Sequence, residues 1–390
     1  MTTSPVPPAI QSPPSLSDLK ITGVEAIYLR LPEVKTQCDS GQDALIVKVT
    51  TNAGIVGYGE VDSNPMAVKG CIEGPFSHTT ATGLAQVVIG EDPFRTEYLW
   101  HKMYRANIYG GRRGVGVHAI SGIDLALWDI KGKALGLPVW KLLGGGFRDR
   151  FRAYASSLFG ETPRETGERA RRFAGQGYTA VKFGWDPMGR DEATDIALVR
   201  EARAGLGPDL DLMIDAGLVY DAKTAIQRAR AFEAYHPFWF EEPLLPDDYD
   251  GYAKLSAATS LRIAAGEEES ERKSFLELMD KGKIDVVQID LTRCGGFTEA
   301  IKIAALAADR GIPVVNHGFT TYLNVAAALH FLASIPNTLG LLEFVVEEGT
   351  TLRNSITPTI TAKDGMVAVP TAPGLGIDPL EDGIARFRVA

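Results

Sequence analysis

Six polar side chains, Asp215, Glu241, Glu267, Asp290, His317 and Glu343, recur through the second half of the chain at intervals of 26, 26, 23, 27 and 26 residues, each just after a short apolar run. Five carboxylates and one imidazole are the side chains of a site that holds a cation and moves a proton. Asp and Glu make up 49 of 390 residues, so filling five such three-residue windows by accident has a probability of roughly 0.004. Chance is a poor explanation. An interval near 26 is the length of one strand, loop and helix, the beat of a β/α barrel, whose C-terminal strand ends converge on one mouth.

In that arrangement Asp215, Glu241 and Glu267 come from consecutive strands. Crowding three negative charges together costs several kcal/mol of repulsion and desolvation, which a divalent cation between them would relieve. Any one of these acids alone would serve equally well as a cap on the helix that follows it. The three together favour a metal, and an all-carboxylate donor set suits Mg²⁺, which keeps positions open for water and substrate; Ca²⁺ would want more protein ligands. Asp290 and His317 occupy the next two strand ends. A hydrogen bond between them would fix the ring tautomer and raise the basicity of the free nitrogen, making His317 a general base or acid. A positioned base supplies roughly 10²- to 10⁴-fold, about 3 to 5 kcal/mol, of the roughly 8 to 23 kcal/mol by which enzymes lower barriers. The cation must then carry much of the remainder, by chelating a substrate carboxylate and stabilising the enolate left when the α-proton departs. Lys182, at the end of the second expected strand, would add a further positive charge there. His78, His101, His118, His236 and His330 lack a strand-end setting and read as ordinary packed residues.

The elements that must position these groups divide the chain. Residues 1–18, rich in Pro and Ser, read as a disordered tail. From 19 to 150 the pattern is α+β: Ile21 to Leu31 and Ala44 to Glu60 read as an antiparallel hairpin or meander turning at Asn52 to Gly54. Thr80 to Ile89 and Ala119 to Leu135 carry helical spacing, the second stopped by Gly136 and Pro138. Val61 to His78 lacks periodicity and holds Pro65, Gly70, Gly74 and Pro75, so it reads as a long loop and a candidate lid. From 151 to 350 short apolar runs such as Leu212 to Ile214, Phe238 to Phe240 and Val314-Val315 alternate with amphipathic helices, as strands buried on both faces require. Asp221 is an expected N-cap, and Gly205 with Gly207 an expected helix stop. Runs ending near Ser156, Lys182 and the six polar residues give eight strands, enough to close a barrel. Residues 351–390 are expected to pack back on the front domain.

A net charge of −9 argues against nucleic acid or an anionic bilayer as a partner, since both reward clustered Lys and Arg. No apolar stretch approaches the roughly 18 residues of a membrane helix. Three widely spaced cysteines, Cys38, Cys71 and Cys294, and a start that does not read as a secretory signal fit a reducing cytoplasm. The expected partner is a small carboxylate substrate.

At these residues the sequence resembles the enolase superfamily, specifically its mandelate racemase subgroup. The resemblance runs from about residue 21 onward and is carried by Ser121-Gly122-Ile123-Asp124 through Leu143-Gly144-Gly145, Ile214-Asp215-Ala216, Glu241-Glu242-Pro243, Gly266-Glu267, Gln288-Ile289-Asp290, Gly295-Gly296 and Asn316-His317-Gly318. It implies a modified (β/α)8 TIM barrel with an α+β capping domain, Mg²⁺ on Asp215, Glu241 and Glu267, and a catalytic pair of Asp290 and His317. Glu343 matches the acid that meets the substrate carboxylate, and Lys182 the first lysine of the family's Lys-x-Lys. The stretches 32–42 and 61–78 would close over substrate and choose it. Barrels of this kind often assemble, so a homo-oligomer is expected.

The main departure is Gly184, where the second lysine of Lys-x-Lys would stand. A site with one base suits syn dehydration better than two-base racemisation, and the implied chemistry is conversion of an aldonate or aldarate to a 2-keto-3-deoxy acid. An epimerase or cycloisomerase of a related hydroxy acid or lactone is the alternative. Muconate cycloisomerase-like members are less similar, having lysine where this chain has Asp290. A catalytically silent binding module would keep buried charge without use, and a metal-dependent amidohydrolase would need a His-x-His that residues 151–158 lack. Specificity is expected in the two lid stretches and in side chains such as Trp185, Arg190 and Tyr322, of which Trp185 and Tyr322 read as packing before recognition.

Overall fold

A computed structural model describes residues 16–34, 41–347 and 351–389. Its front part is a three-stranded antiparallel sheet, β1 (Ile21–Arg30), β2 (Asp43–Thr51) and β3 (Val56–Val61), packed on helices Pro65–Glu73 and Val115–Leu135, with helix Thr96–Ala106 against the latter. The turn between β2 and β3 falls where Asn52 to Gly54 placed it, with Gly54 at a φ of 74°. The long helix ends where expected, on Gly136 in the left-handed conformation, which glycine adopts without a Cβ penalty.

Three readings of the front part differ from the structure. Residues 65–73, expected in a loop, form a helix: Pro65 is preset at its first turn, the Asn64 side chain accepts from the Ala67 N–H, and Val68 and Ile72 are buried on one face. The helix expected over 80–89 is only Leu84–Val88. Thr96–Ala106 is a further helix, burying Leu99, Trp100, Met103 and Ala106. Of the stretch expected as a tail, Leu16–Asp18 form one 3-10 turn, and residues 1–15 lie outside those described.

The rest is a parallel barrel. Its strands are β4 (Arg150–Leu158), β5 (Ala180–Gly184), β6 (Asp211–Asp215), β7 (Trp239–Glu241), β8 (Ile263–Ala265), β9 (Val286–Ile289), β10 (Val314–Asn316) and β11 (Leu341–Val345). They pair in the order β10-β9-β8-β7-β6-β5-β4-β11. The seam between β10 and β11 is bridged just before β11, where the Leu339 N–H donates to the Val314 carbonyl and Val314 pairs with Thr338. Side chains alternate along a strand, and that period sorts the interior into layers. Tyr154, Ala180, Met213, Trp239, Ala264, Val286, Val315 and Leu341 form one buried apolar cluster that fills the barrel floor. Two residues further along, the same inward face carries Ser156, Lys182, Asp215, Glu241, Gln288, His317 and Glu343, so the chemistry stands directly above the plug.

After β11 the chain returns along both parts. β12 (Met366–Ala368) pairs antiparallel with β4 of the barrel, while the Leu375 N–H donates to Asp129, Lys133 meets Asp378, and the Val389 N–H donates to the Tyr28 carbonyl. Beside the expected contacts with the front part, 351–390 thus contributes a strand to the barrel sheet.

The front part grips the barrel at the turn after β9. Ser121 Oγ accepts from the Gly295 N–H at 2.8 Å, and Asp124 accepts from the Thr298 N–H at 3.0 Å and from the Thr298 hydroxyl at 2.5 Å. Asp124 therefore caps the helix Gly296–Asp309 from another part of the molecule, satisfying a first-turn N–H that has no partner within its own helix. A Cβ at Gly296 would lie 2.4 Å from Asp124 Oδ2, which explains the glycine there. Burial pushes the Asp124 carboxyl up to about 7, against the pull of the Thr298 hydrogen bonds.

An unfolded Asp releases its proton near 3.9. Between that pH and about 7 the folded chain holds the extra proton, so this group's contribution to stability declines as pH rises through that window. Asp124→Asn, which keeps the shape without the ionisation, should gain on the wild type by about 4 kcal/mol between pH 4 and pH 7.5. Denaturant unfolding at the two pH values measures this; an unchanged difference would refute it.

Candidate active site

The mouth of the barrel brings the expected residues together. Ligand oxygens of Asp215, Glu241 and Glu267 all lie within 4.8 Å of one another, on three buried side chains. Asp215 ends β6 and accepts from the Gly217 N–H at 2.9 Å. Glu241 ends β7 and accepts from Trp239 Nε1 at 2.7 Å, two residues back on the same inward face. Glu267 stands two residues beyond β8, where Gly266 at a φ of 133° turns the chain inward.

Lys182 lies within β5 rather than at its end, and reaches up into the acids. Its ammonium pairs with Glu241, with Glu343 at 2.8 Å and with Asp215 at 3.7 Å. Burial alone would lower the Lys182 pKa, but Glu241 and Glu343 reverse that and hold it well above its usual value. Burial pushes the Asp215 carboxyl up to about 6 and Glu241 up to about 8; Lys182 opposes this in both, while Glu267 adds to it at Asp215 and Asp215 adds to it at Glu241. Lys182 thus serves Asp215, Glu241 and Glu343, while Glu267 has Arg293 Nη1 at 3.5 Å from Oε1 and His317 Nε2 at 3.4 Å from Oε2. So many carboxylates on so little positive charge, all offering oxygen, fit a hard divalent cation, and the Lys182 ammonium stands in for part of its charge.

His317 follows β10 and Asp290 follows β9. Nδ1 of His317 is 2.6 Å from Asp290 Oδ2, and Nε2 is 3.4 Å from Glu267 Oε2. Burial disfavours the charged imidazole, but Glu267 and the Asp290 hydrogen bond outweigh it and push its pKa up to about 10. The other oxygen of Asp290 accepts from the Thr292 N–H and hydroxyl, both at 2.6 Å, and from Asn324 Nδ2 at 3.3 Å. Burial raises Asp290, yet the His317 hydrogen bond and charge keep it below its usual range.

Above these groups is a cavity of about 340 Å³, lined among others by Lys182, Asp215, Glu267, His317, Ser156, Trp185, Phe319, Asp62 and Arg293. Glu343 is not among its lining residues. It is held by Ser156 Oγ at 2.8 Å, the Gly318 N–H at 3.0 Å and Lys182, so Lys182 is the group of that pair that faces the cavity. Gly184 lines the wall beside Asp215, and a Cβ there would fall 2.8 Å from both Asp215 Cβ and Oδ2. The second position of the lysine motif has no room for a side chain while Asp215 points into the site.

Of the three specificity positions, only Trp185 lines the cavity, at a φ of 67° that is uncommon for a bulky residue. Arg190 pairs with exposed Asp186, and buried Tyr322 lies under the Arg353 guanidinium. From the expected lids, Asp62 reaches the cavity and pairs with Arg293 at 2.8 Å; residues 35–40 lie outside those described. Asp62, Arg293 and Asn324 carried no sequence signal of their own, since each matters through a partner distant in the chain; Thr292 and Phe319 carried none either. Among the other histidines, half-buried His118 and fully buried His330 are pushed down to about 4 by desolvation. No helix among the described residues is long and apolar enough to cross a membrane.

Comparison with known proteins adds the following. A family model described as "Enolase C-terminal domain-like" matches residues 165–383, and one described as "Mandelate racemase / muconate lactonizing enzyme, N-terminal domain" matches residues 27–144. The chain is 34% identical over 359 residues to the D-galactarolactone cycloisomerase of Agrobacterium fabrum, covering 88% of this chain and 91% of that protein. It is 35% identical over 356 residues to a D-galactonate dehydratase of Xanthomonas oryzae pv. oryzae, covering 88% and 90%. The crystal structure of the 3,6-anhydro-D-galactonate cycloisomerase from Zobellia galactanivorans superposes with a TM-score of 0.85 at 34% identity, covering 95% of this chain and 100% of that one.

Proposed function

This chain belongs to the enolase superfamily, in its mandelate racemase / muconate lactonizing enzyme family, and from that premise we propose that it dehydrates an acid sugar, an aldonate or aldarate, to a 2-keto-3-deoxy acid. The observation that carries this reading is a single positioned base: the Asp290-held imidazole of His317 reaches the cavity, and the wall at Gly184 admits no second one. The similarity to a D-galactonate dehydratase supports it.

Asp215, Glu241 and Glu267 are the residues that would hold Mg²⁺. When bound, it supplies positive charge that offsets the second negative charge building on the substrate carboxylate as the α-proton leaves. Lys182 faces the same region of the cavity and contributes its ammonium to the same oxygens, with Glu343 and Ser156 fixing where that ammonium points. Glu267 is the foremost charge holding His317 up, and a cation on Glu267 would offset it, leaving a neutral imidazole whose Nε2 takes the C2 proton while Asp290 accepts the hydrogen bond from Nδ1–H and stabilises the imidazolium. The C2–H electron pair then forms the C2=C3 bond as the C3–O bond breaks, and His317 returns its proton to the departing hydroxyl as water leaves. The resulting enol tautomerises to the 2-keto acid. One base serving both transfers requires both groups on one face, hence a syn elimination.

Cycloisomerisation of a sugar lactone or anhydro acid is the second reading, favoured by the resemblance to two cycloisomerases. Incubating the protein and Mg²⁺ with a panel of aldonates, aldarates and their lactones separates the two. Dehydration should give a semicarbazone-forming product lighter than its substrate by one water; a product of unchanged mass would replace the first reading with the second.

A further inference from the structure

Behind the base lies a buried connection to the front part of the molecule that the proposed proton transfer does not use. Glu60, on β3, is fully buried, and its carboxylate accepts from the Thr321 N–H at 3.2 Å, the Thr321 hydroxyl at 2.7 Å and the Asn324 N–H at 3.1 Å. Those groups open the barrel helix Tyr322–Leu332, whose N-cap is Thr321. A negative group from another part of the chain thus satisfies first-turn N–H groups that have no intrahelical partner. The helix it fixes carries Asn324, whose Nδ2 donates to Asp290 Oδ1 at 3.3 Å. The same side chain lies against the backbone just after the imidazole: a Cβ at Gly318 would fall 2.3 Å from Asn324 Oδ1. One amide therefore donates to Asp290 and lies beside the glycine that follows His317.

We propose that Asn324 is a positioning residue for the Asp290–His317 pair, and that Glu60 anchors it, so that seating of the front part on the barrel sets the alignment of the base. Thr292 holds Asp290 from its own loop; Asn324 holds it from a different helix. Two attachments on separate elements fix the plane of the carboxylate where one would leave it free to turn. Partners standing behind a reacting group typically change its performance roughly 10- to 100-fold when removed. The catalytic part of this inference rests on the proposed proton abstraction, whereas the alignment itself does not.

The test reads both. In the wild type with ¹⁵N-labelled histidine, the Nδ1–H of His317 should give a strongly downfield proton resonance without substrate. Asn324→Ala should shift or broaden that resonance and lower kcat for exchange of the substrate α-proton in deuterated water roughly 10-fold. KM and the thermal shift produced by Mg²⁺ should stay within about twofold of wild type. Asn324→Asp, which keeps the shape but sets a carboxylate against Asp290, should do so more strongly, and decides the matter if the alanine variant does not fold. Glu60→Gln should give a smaller loss of the same sign, and the Glu60→Gln, Asn324→Ala double variant no more than the alanine change alone. An unmoved resonance with unchanged kcat overturns the proposal, as does a loss in which KM and the Mg²⁺ shift move in step with kcat. A wild-type protein that exchanges no α-proton, while the resonance still responds to Asn324, fails the dehydratase reading and leaves the alignment intact.

Discussion

His317→Asn should lower α-proton exchange into deuterated solvent by about 10³-fold while leaving Mg²⁺ binding in place. Asparagine fills much of the imidazole's space and retains a group to meet Asp290, but it has no basic nitrogen at the position of Nε2, which is 3.4 Å from Glu267 in the wild type. The size follows from the roughly 10²- to 10⁴-fold that one positioned base supplies. What remains is the contribution of the carboxylate-binding charges, which the substitution leaves untouched. Proton NMR of the substrate in deuterated water measures it directly, because exchange reports removal of the proton whether or not elimination follows. Retained exchange would take the base role from His317.

Removal of the cation should be as damaging, and it has a second signature. Glu241→Gln deletes one charge from the group whose oxygens lie within 4.8 Å of one another, and should abolish both turnover and the Mg²⁺-dependent rise in thermal stability. For a protein that binds a cation only when folded, that rise is about 2.7 kcal/mol at a hundred times Kd. The affinity should also depend on pH in a definite direction. With burial holding Asp215 up to about 6 and Glu241 up to about 8, protons compete with the metal below those values. Raising the pH removes the competitor, so affinity should climb from pH 6 to pH 8 and then level off. Isothermal titration across that range, in two buffers of different ionisation enthalpy, also counts the protons released. Affinity that is flat or falls with pH would remove Asp215 and Glu241 from the ligand set.

The barrel was legible because its chemistry sits at the ends of buried strands. A run such as Leu212 to Ile214 is apolar on both faces, and the first polar residue after it, Asp215, marks the strand end without any knowledge of the partner strands. Gly184 was legible as a missing lysine, but its close approach to the Asp215 side chain was not, because that belongs to the neighbouring strand. Local rules also failed where turn and helix signals overlap. Asn64-Pro65 punctuates a loop and equally opens a helix, and only the burial of Val68 and Ile72 decides between them. Glu60 and Asn324 were out of reach altogether: they are 264 residues apart in sequence, and neither has a periodicity that points at the other. Glu343 shows the intermediate case, placed at the mouth by spacing, yet turned toward Lys182 and Ser156 by contacts that spacing does not encode.

The apolar plug from Tyr154 to Leu341 makes the barrel a blind cup. Whatever the site binds and releases passes the same mouth, among whose lining residues are Trp185, Phe319, Asp62 and Arg293. The outgoing product therefore holds the doorway that the next molecule needs, and traffic through the site is single file.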